Sequence, residues 1–268
     1  MAGKRIVITG AASGIGAAAV ALHQAAGDEV IGLDIKPLPA GLAQAITCDM
    51  ADPASIDAAL AAIEGPVDCL LNIAGVPGTV APELIMRVNT LGLKHVTQGL
   101  LDRLRSGGAI VNIASIAGFN WARHLAEINE LLATPDYAAG VAWCEAHPMD
   151  GNTAYHFSKE CVVVYTMQMA GPALARGLRC NSVSPGPVAT PILPDFKRQA
   201  GEGQLEWVMD GIGRAAEPRE IAEVVQYLAT GASSFVNGRD LIVDRGFSAG
   251  ITTGWIDKRG APGAKKKA

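Results

Sequence analysis

A Tyr and a Lys four residues apart stand in the stretch Asn152-Thr-Ala-Tyr-His-Phe-Ser-Lys-Glu160, just ahead of an apolar run from Cys161 to Ala175 that reads as a helix. Side chains at this spacing on a helix share a face. Such a pair can move a proton. A free phenol has a pKa of about 10 and is a poor base at neutral pH. A cation about 4 Å away, at an effective dielectric of about 20, favours the phenolate by roughly 4 kcal/mol, which would carry Tyr155 toward working pH. The same spacing also fits an ordinary amphipathic helix with no chemistry attached. The elements that would position the pair decide between these readings.

Those elements alternate along the chain. Arg5 to Thr9 is a β-branched run that reads as a buried strand. It leads into Thr9-Gly-Ala-Ala-Ser-Gly-Ile-Gly16 and an Ala-rich helix over 17–26. Glycines at 10, 14 and 16 allow a tight turn, close approach of backbone N–H groups to a phosphate, and close helix–strand packing. A pyrophosphate would sit at the positive end of that helix. A second strand, Glu29 to Asp34, ends on a carboxylate eighteen residues after Gly16. A carboxylate there can accept both ribose hydroxyls and repels a 2′-phosphate. The Gly-rich loop holds no Arg or Lys and Lys36 is the nearest cation, so NAD is expected over NADP.

Further strands are predicted at 45–49, ending in Asp49 before Met50, at Val67 to Asn72, and at Ala109 to Ile113, with Ser115 just beyond. Helices are predicted from Pro53 to Ile63 and from about Pro82 to Leu101, the latter carrying Asn89 in its interior. The alternation is that of a doubly wound parallel α/β sheet. Ligands of such sheets bind beyond the C-terminal ends of the strands. Gly10, Asp34, Asp49, Asn72 and Ser115 all fall there. This convergence favours the proton-transfer reading of Tyr155 and Lys159.

Length and charge narrow the class. The 268 residues suit one large α/β domain, taken here as 1–257 with a flexible basic tail at 258–268 that holds Lys265, Lys266 and Lys267. A net charge of −4 does not suit a general nucleic-acid binder. The five cysteines (Cys48, Cys69, Cys144, Cys161, Cys180) lack C-x-x-C spacing and read as reduced thiols, and no metal site is expected. No apolar run reaches membrane-spanning length and no signal-peptide core is present. A cytoplasmic protein without nucleic-acid or membrane partners is expected.

In sequence order, Thr9-Gly-x-x-x-Gly-Ile-Gly16, Asp34, Asp49-Met50, Asn72-Ile-Ala-Gly75, Asn89, Ser115, Tyr155-x-x-x-Lys159 and Pro185-Gly-Pro-Val-Ala-Thr190 resemble the signatures of the short-chain dehydrogenase/reductase family. The resemblance spans nearly the whole chain. It implies a single Rossmann-type domain of about seven strands, the last near Leu241 to Val243. It implies Tyr155 as general acid/base and Lys159 as the group that lowers its pKa and holds the nicotinamide ribose. Ser115 would bind the substrate oxygen, and Asn89 would position a water in a proton relay. For NAD it implies Gly10, Ser13, Gly14, Ile15 and Gly16 around the pyrophosphate, Asp49 and Met50 at the adenine, and Asn72, Ala74 and Gly75 on the adenosine side. Pro185, Val188 and Thr190 would lie at the nicotinamide. Self-association is implied too, as a homodimer or homotetramer through the helix at 217–228 and the last strand.

The chain departs from that family in two places. Asp244-Arg245-Gly246 replaces the usual Asp-Gly-Gly. Tyr155 follows Ser115 by forty residues, far more than in typical members. The extra segment, about 119–151, has helical spacing at 123–132 and 137–145 and is expected to arch over or beside the substrate pocket. Phe119, Trp121 and Trp143 could line that pocket or merely pack the insertion onto the domain. The long spacer, with Val76-Pro-Gly-Thr79 and Pro187-Val-Ala-Thr-Pro-Ile-Leu193, looks like the subgroup that contains bacterial coniferyl-alcohol dehydrogenases and 3α-hydroxysteroid dehydrogenase/carbonyl reductases. The wording is nearer to the first. The resemblance implies NAD-dependent oxidation of a bulky apolar alcohol. A nucleotide-binding regulator without chemistry is the competing class, and an intact Asn89, Ser115, Tyr155 and Lys159 argues against it.

Overall fold

Seven short apolar runs pair into one parallel sheet. The computed structural model describes residues 3–201, 203–257 and 260–262; the basic cluster at 265–267 lies outside them. The strands are β1 (Arg5–Thr9), β2 (Glu29–Asp34), β3 (Gln44–Thr47), β4 (Val67–Asn72), β5 (Leu104–Ile113), β6 (Arg179–Pro185) and β7 (Asp240–Val243). Their order is β3-β2-β1-β4-β5-β6-β7, every pairing parallel. The chain reverses direction across the sheet between β1 and β4, which opens a crevice at the strand ends.

Eleven α-helices among the described residues cover the two faces: α1 (Gly14–Ala25), α2 (Pro53–Ala62), α3 (Pro82–Met86), α4 (Leu93–Leu100), α5 (Leu125–Leu132), α6 (Tyr137–Ala146), α7 (Gly151–Leu174), α8 (Leu193–Ala200), α9 (Gln204–Ile212), α10 (Pro218–Ala229) and α11 (Phe247–Thr253). None is long and apolar enough to cross a membrane. Alternation along the strands sorts the core. Val7, Ile31, Leu70, Ile110 and Cys180 share one apolar cluster with residues of α2, α4 and α7. Ile6, Ile8, Leu71, Val111 and Val183 share the other with α1 and with Ile221, Val225 and Leu228 of α10. Local signals end the helices as physics requires. Asp52 caps α2 through Ala54 N–H, and Glu217 with Glu220 forms a capping box on α10.

The expected helix through Asn89 is present but interrupted. Arg87–Gly92 is a π-type turn between α3 and α4, a widening common at functional sites. β5 starts five residues earlier than its apolar run. Its first part carries the exposed Arg105 and Ser106, and the pairing with β4 shifts between Val67 and Cys69, so no alternation marks it. The catalytic-stretch helix likewise begins at Gly151 rather than near Cys161, because Asp150 caps it by accepting from Thr153 N–H at 2.8 Å.

Two buried asparagines cross the sheet interior. Asn72 Nδ2 donates to Thr97 Oγ1 and to Asn112 Oδ1, both at 2.9 Å, and Asn112 Nδ2 donates to Thr166 Oγ1 at 2.9 Å. The chain of amides ties β4 and β5 to α4 and α7. Arg245, the departure from Asp-Gly-Gly, has φ of +54°. That is the left-handed region, where a side chain costs about 1–2 kcal/mol and glycine costs nothing.

Candidate active site

Four side chains from three elements meet at the C-terminal ends of β4 and β5. Tyr155 and Lys159 are buried on α7, one turn apart. Lys159 Nζ donates to Ile113 O at 3.0 Å, which anchors it to the end of β5, and lies 6.0 Å from the centre of the Tyr155 ring. Ser115, two residues past β5, stands beside the Tyr155 phenol and opposes the rise in its pKa. Asn89 in the π-type turn accepts from Val76 N–H at 2.8 Å and donates to Val76 O and Ser158 Oγ. Its side chain therefore holds the loop after β4 against α7. A side chain at Gly75 would stand 3.3 Å from Asn89 Oδ1 and 3.5 Å from Lys159 Nζ, so that loop is pressed onto the site.

The charge state differs from the one the spacing alone implies. Burial pushes the Tyr155 phenol up to about 12, and the Ser115 hydroxyl only opposes it. Burial also draws Lys159 down to about 8. The expected fall of Tyr155 toward working pH is thus reversed: both groups lie in a dry interior, where desolvation outweighs an ammonium held 6.0 Å from the ring centre and turned toward a carbonyl. A neutral phenol beside a serine hydroxyl can donate a proton.

The Gly-rich turn fits a dinucleotide. Gly10 has φ of +70°, and a Cβ there would come within 2.8 Å of the Ala74 backbone. A Cβ on Gly16 would lie 1.9 Å from Gly10 O, so the turn and the start of α1 touch backbone to backbone. Ser13 is the extended N-cap of α1, with no side-chain bond to the helix, and Ile15 packs against the core. The Thr190 methyl closes on Gly14 from the β6 side. Asp34 accepts from Ala12 N–H and Lys36 N–H, each at 2.9 Å, which fixes its carboxylate at the rim of the turn. Thr9 Oγ1 accepts from Ile73 and Ala74 N–H, fastening the end of β1 to the loop after β4.

At three of the expected cofactor positions the side chain is engaged within the protein. Asn72 is taken up in the buried amide chain between the strands. Met50 and Val188 are 7 % exposed and belong to the two apolar cores. Asp49 Oδ1 accepts from Ala51 N–H and the Asp49 N–H donates to Ser55 Oγ, which shapes the turn after β3. Pro185 ends β6 and directs the chain toward Val188 and Thr190.

The element over Tyr155 is α8 rather than the insertion. The Phe196 ring lies 5.4 Å from that of Tyr155. Gln199 accepts from Gly78 N–H at 2.8 Å and donates to Asn152 Oδ1 at 3.1 Å, while Thr79 Oγ1 donates to Asp195 at 2.8 Å. Neither Phe196 nor Gln199 was marked by any spacing, since their partners are far away in the chain. The insertion folds as the two expected helices, α5 and α6, which pack on α7 and on the α3–α4 segment. Its Ile128 and Leu131 are fully buried, and Tyr137 donates to Ala51 O. Trp143 stacks on Phe157, with ring centres 5.8 Å apart, and so docks the insertion. Phe119 and Trp121 line a groove of about 370 Å³ that Ser115 also lines, together with Met167 and Ile242.

Comparison with known proteins follows the same outline. Residues 4–126 match the model of the short chain dehydrogenase family, and residues 141–248 match that described as Enoyl-(Acyl carrier protein) reductase. The gap between the two matches falls inside the insertion. Coniferyl-alcohol dehydrogenase of Pseudomonas sp. (strain HR199) is 35% identical over 247 residues, which cover 92% of this chain and 97% of that protein. The 3-alpha-hydroxysteroid dehydrogenase/carbonyl reductase of Comamonas testosteroni is 31% identical, over 91% of this chain and 96% of that protein. The crystal structure of the 3-alpha-hydroxysteroid dehydrogenase from Pseudomonas sp. B-0831, complexed with NADH, superposes with a TM-score of 0.77 at 32% identity, covering 93% and 98% of the two chains.

Proposed function

The chain belongs to the short-chain dehydrogenase/reductase family, and on that premise we propose that it oxidises, reversibly and with NAD, a bulky apolar alcohol of the coniferyl or cinnamyl type. The observation that carries this reading is the meeting of Ser115, Tyr155 and Lys159 at the strand ends beside the Phe196 ring. An aromatic wall next to the proton donor suits a flat apolar substrate, since offset rings attract. NAD(H), when bound, supplies the hydride chemistry. The Gly10–Gly16 turn would hold its pyrophosphate, Asp34 the adenosine ribose, and Lys159 the nicotinamide ribose.

The chain's own residues handle the proton. Ser115 and Tyr155 both hydrogen-bond to the substrate oxygen. In reduction the phenol gives its proton to that oxygen; in oxidation the Tyr155 oxygen takes a proton back, with Ser115 opposing the rise that burial imposes on the phenol. α8 is fastened beside the site through its bonds to Gly78 and Asn152. A second reading, oxidation of a hydroxysteroid, is favoured by the likeness to the NADH-complexed structure. Assaying NADH formation with coniferyl alcohol beside a 3α-hydroxysteroid separates the two. Absence of turnover with any alcohol, while NAD binds, would instead indicate a nucleotide-binding regulator.

Cofactor choice rests on Asp34. Wild type is expected to bind NAD at least about tenfold more tightly than NADP, because a fixed carboxylate opposes the 2′-phosphate, and Asp34→Ala narrows that ratio. Calorimetric titration of both cofactors measures it; tighter NADP binding by wild type removes the assignment. Free thiols at all five cysteines and exposed Tyr227, Phe235 and Ile242 near β7 support a cytoplasmic homodimer or homotetramer. Light scattering on protein recovered from the cytoplasmic fraction tests this, and a monomer mass would count against it.

A further inference from the structure

Glu160, next to Lys159, is a carboxylate with only 3% of its side chain exposed. A buried carboxylate is costly without a partner. Its partner is His124 of the insertion, whose Nδ1 lies 2.7 Å from Glu160 Oε2 and whose own side chain is half exposed. His124 ends the short 3₁₀ segment Ile116–Arg123, and Ser115 begins it. The Ser115 hydroxyl accepts from Ala117 N–H at 3.2 Å, which locks the first turn. Midway, a Cβ on Gly118 would meet Lys159 O at 2.8 Å and Glu160 N at 3.2 Å, so the segment lies directly on the backbone of α7. One stiff piece of chain therefore touches the catalytic helix three times: at Tyr155 through Ser115, at Lys159 through Gly118, and at Glu160 through His124.

We infer that His124 and Glu160 are a positioning pair that sets where the Ser115 hydroxyl stands relative to Tyr155. The pair touches neither substrate nor cofactor. It acts by holding the far end of the segment whose near end is Ser115. Hydrogen-bond donors at a reacting oxygen lose most of their effect when displaced by a fraction of an ångström to an ångström. With His124 released, the segment keeps Gly118 on α7 as a pivot and loses the constraint that fixes its rotation. The insertion thereby feeds into the chemistry through its first residues, without its helices lining the pocket.

The inference rests on the proposed dehydrogenase activity, and the test keeps the two apart. H124A, S115A and the double variant are assayed with coniferyl alcohol and NAD, with NAD binding and thermal melting measured in parallel. H124A is expected to lower kcat about tenfold with NAD affinity little changed, and also to lower the melting temperature because it leaves the buried Glu160 carboxylate unpaired. S115A in the H124A background is expected to cost at least about threefold less than in wild type, since a misplaced hydroxyl has less to lose. E160A should behave like H124A, whereas E160Q, whose amide oxygen still accepts from Nδ1–H, should restore kcat to within about threefold of wild type. An H124A kcat within about twofold of wild type, or simply multiplicative losses in the double variant, overturns the pair while leaving the activity standing. A wild type that forms no NADH rejects the dehydrogenase reading and the pair with it.

Discussion

Tyr155→Phe is expected to lower kcat by about 10²–10⁴-fold, the range for removal of a positioned general acid or base. The substitution deletes a single oxygen from a ring that is 6% exposed, so packing is retained. The Ser115 hydroxyl keeps its bond to Ala117 N–H. Cofactor affinity should therefore move little, and the loss should appear in kcat rather than in NAD binding. Steady-state kinetics with coniferyl alcohol, paired with NAD titration, measures both. Turnover within about tenfold of wild type would remove Tyr155 from the proton path.

Gly16→Ala is expected to weaken NAD binding by at least about 100-fold and to lower the melting temperature. The added methyl would stand 1.9 Å from Gly10 O and 2.7 Å from Gly10 C, both backbone atoms in a turn that itself abuts Ala74. No side chain can swing aside. The start of α1 must lift away from the turn, at an overpacking cost of about 1–3 kcal/mol, and the N–H groups that would face a pyrophosphate lose their common aim. Calorimetry and thermal melting read the two effects separately. NAD affinity within about threefold of wild type would show that this turn does not hold the cofactor.

What was legible in the sequence is what local residue type dictates. Thr9-Gly-x-x-x-Gly-Ile-Gly16 can do little but make a tight turn into a helix, and the strands that end in Asp34 and Asn72 or lead to Ser115 announce themselves by apolar runs. The helices of the insertion were readable from their spacing for the same reason. Side-chain direction was not readable. Asn72, Met50 and Val188 sit at the right points in the chain, but the pleat and the turn geometry send their side chains inward. Nor was burial, which pushes Tyr155 up where a cation alone would draw it down. Contacts between distant parts of the chain were equally hidden. Phe196 reaches Tyr155, Gln199 reaches Gly78, and Glu160 meets His124 only because of tertiary packing. β5 exceeded its apolar run because its first residues pair with β4 while facing water.

The amide chain through Asn72 and Asn112 also bears on how the molecule avoids wrong folds. In a parallel sheet of near-uniform Val, Ile and Leu, a strand displaced by one residue could still find apolar neighbours. Such a slip turns every side chain to the opposite face. Here it would strand two carboxamides among hydrocarbon, away from Thr97 and Thr166, at about 1–3 kcal/mol for each lost partner. The native register leaves Asn72 Oδ1 unpaired but satisfies both Nδ2 groups and Asn112 Oδ1, so the larger penalty falls on the misaligned chain. The asparagines thus favour the observed register, in which Asn72 pairs with Asn112 and the chain runs on to Ser115 at the rim of the sheet.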